Sequence, residues 1–441
     1  MSNNKLLSQP LSILALIVGG LTASGSPNAA EIESEFHAGY MVSDNIFLVS
    51  TDVTEETEEN IRVGGMSLIL TEETNRIFAD IQGVVDYLDY DQTFEPEWIG
   101  GLAALVEFTL VDEYLNWIFQ ENYGQRRLDP FAAPDPSNRE NVNFFTTGPN
   151  IQIPFGGRYF AGLEGRYSTV KYEESINDNE RTSGLMQFGR RSNTNAIFSI
   201  NAEAESVTFD NDGTSDDFDI YEAFIAYDVS SSRNIVNIQL GYTELDIGFE
   251  TADGHLIRAD WTRISSESQQ FLFSGGSQYS TQGDLFRYSQ SNGRDIGDTE
   301  DVNGDDTPFR SHFLYTRYDL TGERTTMAME LEWNQDDYDY VTPTPDSQDR
   351  DILRGRFLVE RDISRTFYVN LSLEAQNRKY KYIDREDDDL RVIATLGYRF
   401  SPALNMSVSY RHLDRQSNEI NQSFTENRAI FAFEYIPSWG R

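Results

Sequence analysis

The chain contains no cysteine, which excludes disulfide bridges and thiolate metal sites. Such an absence suits a protein that crosses an oxidising compartment before it folds. Histidine is nearly as scarce. His37, His255, His312 and His412 lie far apart and share no metal-ligand spacing. Positive charge is also in deficit, with 35 Lys and Arg against 73 Asp and Glu, a formal charge of −38. Phosphate binding needs a basic surface, so nucleic acid is excluded as a partner. Long apolar runs are missing too, and nothing beyond the first 30 residues approaches the ~18 residues of a membrane helix. Nor does any block of ~40–50 residues repeat, which argues against a propeller.

The beginning of the chain reads as a secretory signal, residues 1–30. Lys5 supplies the positive start, Leu11 to Leu21 the short apolar centre, and small residues from Ala23 to Ala30 the cleavage region. Cleavage is expected between about 25 and 30, with Ala23-Ser24-Gly25 and Asn28-Ala29-Ala30 competing. No cysteine follows, so a lipoprotein anchor is excluded. Residues 31–441 then form one domain.

That domain is written almost wholly in strands. From Asp389 to Tyr435 the pattern is plainest: Leu390, Val392, Ala394, Leu396, Tyr398 and Phe400 alternate with more polar neighbours. Side chains on a strand alternate between faces, so each run has one apolar and one mostly polar face. Twenty such segments run from 33–49 to 425–436. Asp44-Asn45 interrupts the first of them, which leaves eighteen strands as the alternative. Short turns such as Phe155-Gly156-Gly157, Thr321-Gly322 and Ser401-Pro402 alternate with long acidic loops such as Arg127–Asn141, Gly275–Arg310 and Asp336–Arg350. This alternation predicts an all-β fold: an antiparallel transmembrane barrel of about 18–20 strands in the outer membrane. The short turns would be periplasmic and the acidic loops extracellular. Lipid and lipopolysaccharide are then its surroundings. Outward aromatics Tyr159, Tyr167, Trp333, Tyr398, Phe400, Tyr410 and Tyr435 would form the interface girdle.

Short motifs carry a family resemblance. Tyr40–Leu48, with its Asp-Asn-Ile-Phe-Leu close, Trp117–Asn122, Arg127-Leu128-Asp129-Pro130, Asn141–Asn143, Thr147-Gly148-Pro149 and Gly241-Tyr242-Thr243 resemble the second putative β-barrel porin family. The resemblance implies an outer-membrane barrel associated with exopolysaccharide synthesis and export, with no catalytic residue. It also implies polysaccharide and periplasmic export proteins as partners. One departure concerns the C-terminus, where Ile436-Pro437-Ser438-Trp439-Gly440-Arg441 follows Tyr435. Either Trp439 or an internal signal would serve the insertion machinery.

If the apolar positions face lipid, alternation turns Arg354, Arg356, Arg378, Arg391, Arg399, Arg411 and Arg428 into the lumen. Glu164, Glu203, Glu205, Glu330 and Glu332 turn inward by the same count, as do Tyr368 and Phe160. The charges either brace the wall as cross-strand ion pairs or select a passing solute by sign. The aromatics either fill space or give sugar rings a sliding surface. Chemistry is otherwise thin. His412 with Ser407 or Ser409 is the best nucleophile pair, and a poor one, so no enzymatic activity and no cofactor are expected. Asp210, Asp212, Asp301, Asn303 and Asp305 place oxygens at alternate positions, as calcium loops do. They lack Gly at the sixth position and Glu at the twelfth.

The expected function is an outer-membrane channel taking part in exopolysaccharide export. A general diffusion porin and a non-transporting surface barrel are the alternatives. A plug formed by the Gly275–Arg310 loop is a further expectation, which an outward-lying loop would overturn.

Overall fold

A computed structural model describes residues 31–50, 56–192, 195–210, 216–248, 250–291, 306–338 and 348–437. The expected signal segment, Trp439, and Asp212, Asp301, Asn303 and Asp305 of the expected cation loops lie outside the described residues.

The alternating pattern folds as twenty strands and one short helix. The first ten strands are β1 (Glu31–Ser43), β2 (Glu59–Glu73), β3 (Ile77–Tyr90), β4 (Glu97–Val111), β5 (Leu115–Arg126), β6 (Glu140–Phe155), β7 (Tyr159–Tyr172), β8 (Asn179–Arg191), β9 (Ala196–Phe209) and β10 (Phe218–Ser230). Then come β11 (Asn234–Asp246), β12 (Thr251–Ser266), β13 (Gln269–Ser280), helix α1 (Gln282–Ser291), β14 (Phe309–Thr321), β15 (Thr325–Asp337), β16 (Arg350–Asp362), β17 (Phe367–Tyr380), β18 (Arg385–Ser401), β19 (Leu404–Ser417) and β20 (Phe424–Tyr435). Each strand pairs antiparallel with its sequence neighbour, and β1 pairs with β20 from Phe36↔Tyr435 to Ser43↔Arg428. The sheet therefore closes on itself and has no free edge, as a barrel in lipid requires. The interrupted first segment is a real strand, so the count is twenty and not eighteen. It stops at Ser43 instead of running to residue 49, because Asp44 and Asn45 bond across to β20 and turn the chain inward.

Connections alternate strictly. Turns of a few residues, such as 74–76, 156–158 and 402–403, close one rim. The longer connections, which join β1 to β2, β5 to β6, β13 to β14 and β15 to β16, leave from the other rim. By the rule for outer-membrane barrels the second rim is extracellular.

Exposure follows the period of two. Tyr159, Leu163 and Tyr167 of β7, Leu353 of β16 and Leu396 and Phe400 of β18 stand exposed on the outside. Between them, inward residues are covered or half-covered. Tyr159, Trp333, Phe400, Tyr410 and Tyr435 of the expected girdle are likewise exposed, and Tyr398 packs edge-on against Phe367 and Phe400. Burying this band in lipid instead of water supplies the driving force that an inward core supplies in a soluble protein. The inner side holds separate apolar clusters instead of one core. Leu70, Ile81, Leu102, Val106 and Tyr123 make one. Val207, Phe218, Leu245 and Tyr279 contribute to another. No helix among the described residues is long and apolar enough to cross a membrane.

Candidate functional site

The inner wall of β15–β20 is an interleaved ladder of guanidinium and carboxylate groups. Glu332 and Arg354 lie directly opposite on β15 and β16 and bond at 3.1 Å. Arg356 reaches Glu374 of β17 at 3.7 Å, and Glu330 accepts from Arg317 at 2.7 Å. Arg378 and Arg415 converge on Asp389, at 3.9 and 2.6 Å. Arg391 lies directly opposite Glu374. Nearer the short-turn rim, Arg399 bonds Asp362 at 2.6 Å and sits 4.6 Å over the Tyr368 ring. Arg411 and Arg428, directly opposite each other on β19 and β20, share the single buried carboxylate of Glu426 at 3.0 and 2.5 Å. The alternation thus brings the seven sequence-predicted arginines to one wall. Their partners Glu374, Asp389 and Glu426 were legible by the same count and were missed.

On the other side, Glu164 pairs with Arg166 at 2.8 Å, and Glu205 lies 3.7 Å from Arg181. Glu203 lies directly opposite Glu222, which accepts from Arg258 at 2.9 Å. Both walls are mixed in sign. Cross-strand pairing at the period of two places acid and base as neighbours more readily than it separates them.

Tyr368 and Phe160 are buried and lie flat against glycines of the next strand. A Cβ on Gly397 would stand 1.9 Å from the Tyr368 ring, and one on Gly189 would stand 2.2 Å from the Phe160 ring. They fill space at the wall and offer no sliding surface. His412 turns to the opposite face of β19 from Ser407 and Ser409 and bonds Asn427 at 2.9 Å, so that pair forms no catalytic dyad. Asp210, the described member of the expected cation loops, accepts from Lys171 at 2.5 Å. No cluster of three metal-ligating side chains occurs among the described residues.

Two extracellular connections fold into the barrel. The first is 127–139. Its Phe131 carbonyl accepts from Arg385 of β18 at 2.6 Å, and its ring packs 5.3 Å from Tyr380 of β17. Ala133 packs against Leu48, Leu413 and Phe424, and Arg139 bonds Glu97 of β4 and the Tyr90 hydroxyl of β3. This loop therefore crosses from β5 and β6 to β17–β20.

The second connection follows β13 and holds α1, where the sequence pattern predicts only a loop. Thr281 caps the helix: its hydroxyl accepts from Asp284 N at 3.1 Å, and Asp284 Oδ2 accepts from Thr281 N at 3.2 Å. This is a capping box with Asp in the place of Glu, and Thr281-Gln-Gly-Asp284 was its sequence signal. Phe286 is buried among Val142, Phe144, Val170 and Tyr172, which β6 and β7 point inward. Arg181 of β8 latches the segment, donating to Asp306 at 2.7 Å and to Thr281 at 3.2 Å. Asp306 also accepts from Gly283 N at 2.8 Å and Asn179 at 2.8 Å. Burial opposes ionisation of Asp306, yet the Arg181 guanidinium and these donors hold its carboxyl below the ordinary range. The described part of the 275–310 connection thus lies inside the barrel and spans from β13 to β5–β8.

Closed strand pairing, a lipid-facing apolar band and a charged inner wall define an outer-membrane barrel of the porin or transporter kind. Within that class, residues 352–433 match the family described as putative beta-barrel porin 2, so the resemblance seen in the sequence holds over that segment. The match falls on β16–β20, apart from the short N-terminal motifs.

Solved structures are similar to the chain at low identity. One is the FrpB iron transporter from Neisseria meningitidis, at 8% identity, covering 95% of this chain and 83% of that one, with a TM-score of 0.45. Another is Pseudomonas aeruginosa OpdK with vanillate, at 9% identity, covering 92% and 99%, with a TM-score of 0.38. A third is Pseudomonas aeruginosa OccK2 (OpdF) in complex with glucuronate, at 9% identity, covering 93% and 98%, with a TM-score of 0.39. No curated protein matches the chain.

Proposed function

We propose that this barrel is a non-enzymatic outer-membrane channel for anionic saccharides and takes part in export of an exopolysaccharide. One observation carries the reading. Arg354, Arg356, Arg378, Arg391, Arg399, Arg411 and Arg428 stand on the inner side of β16–β20 by strand alternation, inside the segment that matches the porin family. Fixed charge lining a pore selects by sign. The Glu426 carboxylate lies buried between Arg411 and Arg428, so on β19 and β20 a passing anion would meet guanidinium donors and not the acid. Lipopolysaccharide at the outer surface and periplasmic export proteins at the short-turn rim are the partners this role needs.

A second reading, a diffusion porin for small solutes, is favoured by α1, because an inward loop narrows the pore. Efflux from proteoliposomes separates the two. The export channel releases a uronate oligosaccharide faster than a neutral dextran of equal size. A diffusion porin releases only small solutes, without regard to sign. Retention of both polymers with release of small neutral sugars would sink the export reading.

A further inference from the structure

The short motifs near the N-terminus converge in space. Asn45, at the end of the strand-closing element, bonds Val49 and Thr425 and turns Ile46 and Leu48 beneath the 127–139 loop. Arg127 comes from the Arg127-Leu128-Asp129-Pro130 motif, and Asn138 closes that loop by donating to the Asp129 carbonyl at 2.9 Å. Between this lid and the walls of β1–β5, β19 and β20 lies a cavity of about 260 Å³. Its floor is apolar, with Ile46, Leu48, Ile61, Val63, Leu88 and Ile99. Its polar side is basic: Arg126, Arg127, Arg139, Arg411 and Arg428 line it, against Asp86 and Asp135.

Position decides what an incoming group meets. Glu140 and Glu426, which hold Arg126 and the Arg411–Arg428 pair, have no exposed surface and do not line the cavity. Arg139, Arg411 and Arg428 keep 22, 23 and 17% of their side-chain surface open. Asp86 is engaged by His37 at 2.7 Å, and Asp135 caps its own loop by accepting from Ser137. Two guanidinium groups directly opposite each other on one shared carboxylate leave an uncompensated positive charge. Arg411 Nε, also buried, donates to nothing among the described residues.

We propose that this cavity is a binding subsite for one hexuronate residue. The carboxylate would be taken by Arg411, Arg428 and Arg139, and the C–H face of the ring would lie on the Ile46–Leu88 floor. A site with an apolar lining and a few convergent charged donors is what a small organic anion needs. A cavity of about 260 Å³ is of the size of one sugar ring. The subsite rests on the channel reading, which it narrows to a uronate-bearing cargo.

Calorimetric titration of the full-length barrel in detergent tests this, using glucuronate, glucose and a hexuronate trimer. Glucuronate binds and glucose does not. In Arg411→Gln the affinity falls roughly tenfold to a hundredfold, the worth of a charge-assisted bond. That variant keeps Glu426 paired to Arg428, so the barrel still folds, which heat-modifiable migration on a gel verifies. Arg139→Gln, which leaves Glu97 bonded to Tyr90, is the second variant and weakens binding in the same direction. Binding of the trimer as tightly as the monomer identifies the occupant as a chain end. Binding of the monomer alone identifies a free acid. No heat with glucuronate, equal affinity for glucose, or unchanged affinity in both folded variants overturns the subsite. Conductance with no uronate binding removes only the subsite, whereas binding without conductance removes only the channel.

Discussion

Arg181 joins a loop to the barrel wall through a buried ion pair, and such a pair is costly to break from one side. Removing Arg181 leaves Asp306 buried and uncompensated, at a cost of about 3–5 kcal/mol. The barrel itself is held by its backbone ladder and does not share that cost. Arg181→Ala is therefore expected to free α1 and leave the strands intact. Hydrogen exchange checks this: α1 amides lose protection while those of β6–β8 keep theirs. Acid should act on the same latch. The Asp306 carboxyl is depressed from its ordinary 3.8, so its contribution is complete above that pH and is lost as pH falls through the lower folded value. The part of any conductance change that depends on Asp306 should be absent at neutral pH and develop only below about pH 4, and Asp306→Asn should remove that part. A transition between pH 5 and 7 would point to another group.

At the scale of elements, the strands were the most legible part of the chain. Leu390–Phe400 shows its two faces in the sequence alone, and the alternation set the side of all twelve charged candidates. Pairing was not legible to the same degree. Glu426 holds two arginines because register puts Arg411 opposite Arg428, and register depends on turns and bulges that short motifs do not specify. Helix α1 was missed because its ten residues are too short for a periodic signal, and its stability comes from Phe286 docking on β6 and β7. Aromatic rings on glycines were also invisible, since Tyr368 and Gly397 lie far apart in sequence. A methyl at Gly397 meets the Tyr368 ring, so Gly397→Ala should cost about 1–3 kcal/mol, read as a lower temperature for heat-modified migration. Tyr368→Ala added to it should recover part of the loss. Two independent, additive losses would show that the ring does not rest there.

For the whole molecule, closure through β1 and β20 makes the wall cooperative, and the outer mouth is where variation in state belongs. Loop 127–139 and the described residues 281–291 and 306–308 enter from different sides of the ring, the first held by Arg385 of β18 and the second by Arg181 of β8. The charge ladder spans the remaining height of β15–β20. Replacing Arg354 and Arg356 together by Gln leaves Glu332 and Glu374 without these partners and turns that stretch acidic. Anion preference, read from the reversal potential in a salt gradient, should fall or invert. Unchanged selectivity would mean that the ions follow another path.

Single-channel conductance of the refolded protein in a planar bilayer, followed by addition of a uronate oligosaccharide, bears most directly on the claim that this barrel is a channel for anionic saccharides. The account predicts discrete, anion-preferring openings that the oligosaccharide blocks and a neutral oligosaccharide does not, with larger openings in Arg181→Ala. Folded barrels that insert and carry no current in either form would contradict it, and so would openings indifferent to the charged sugar.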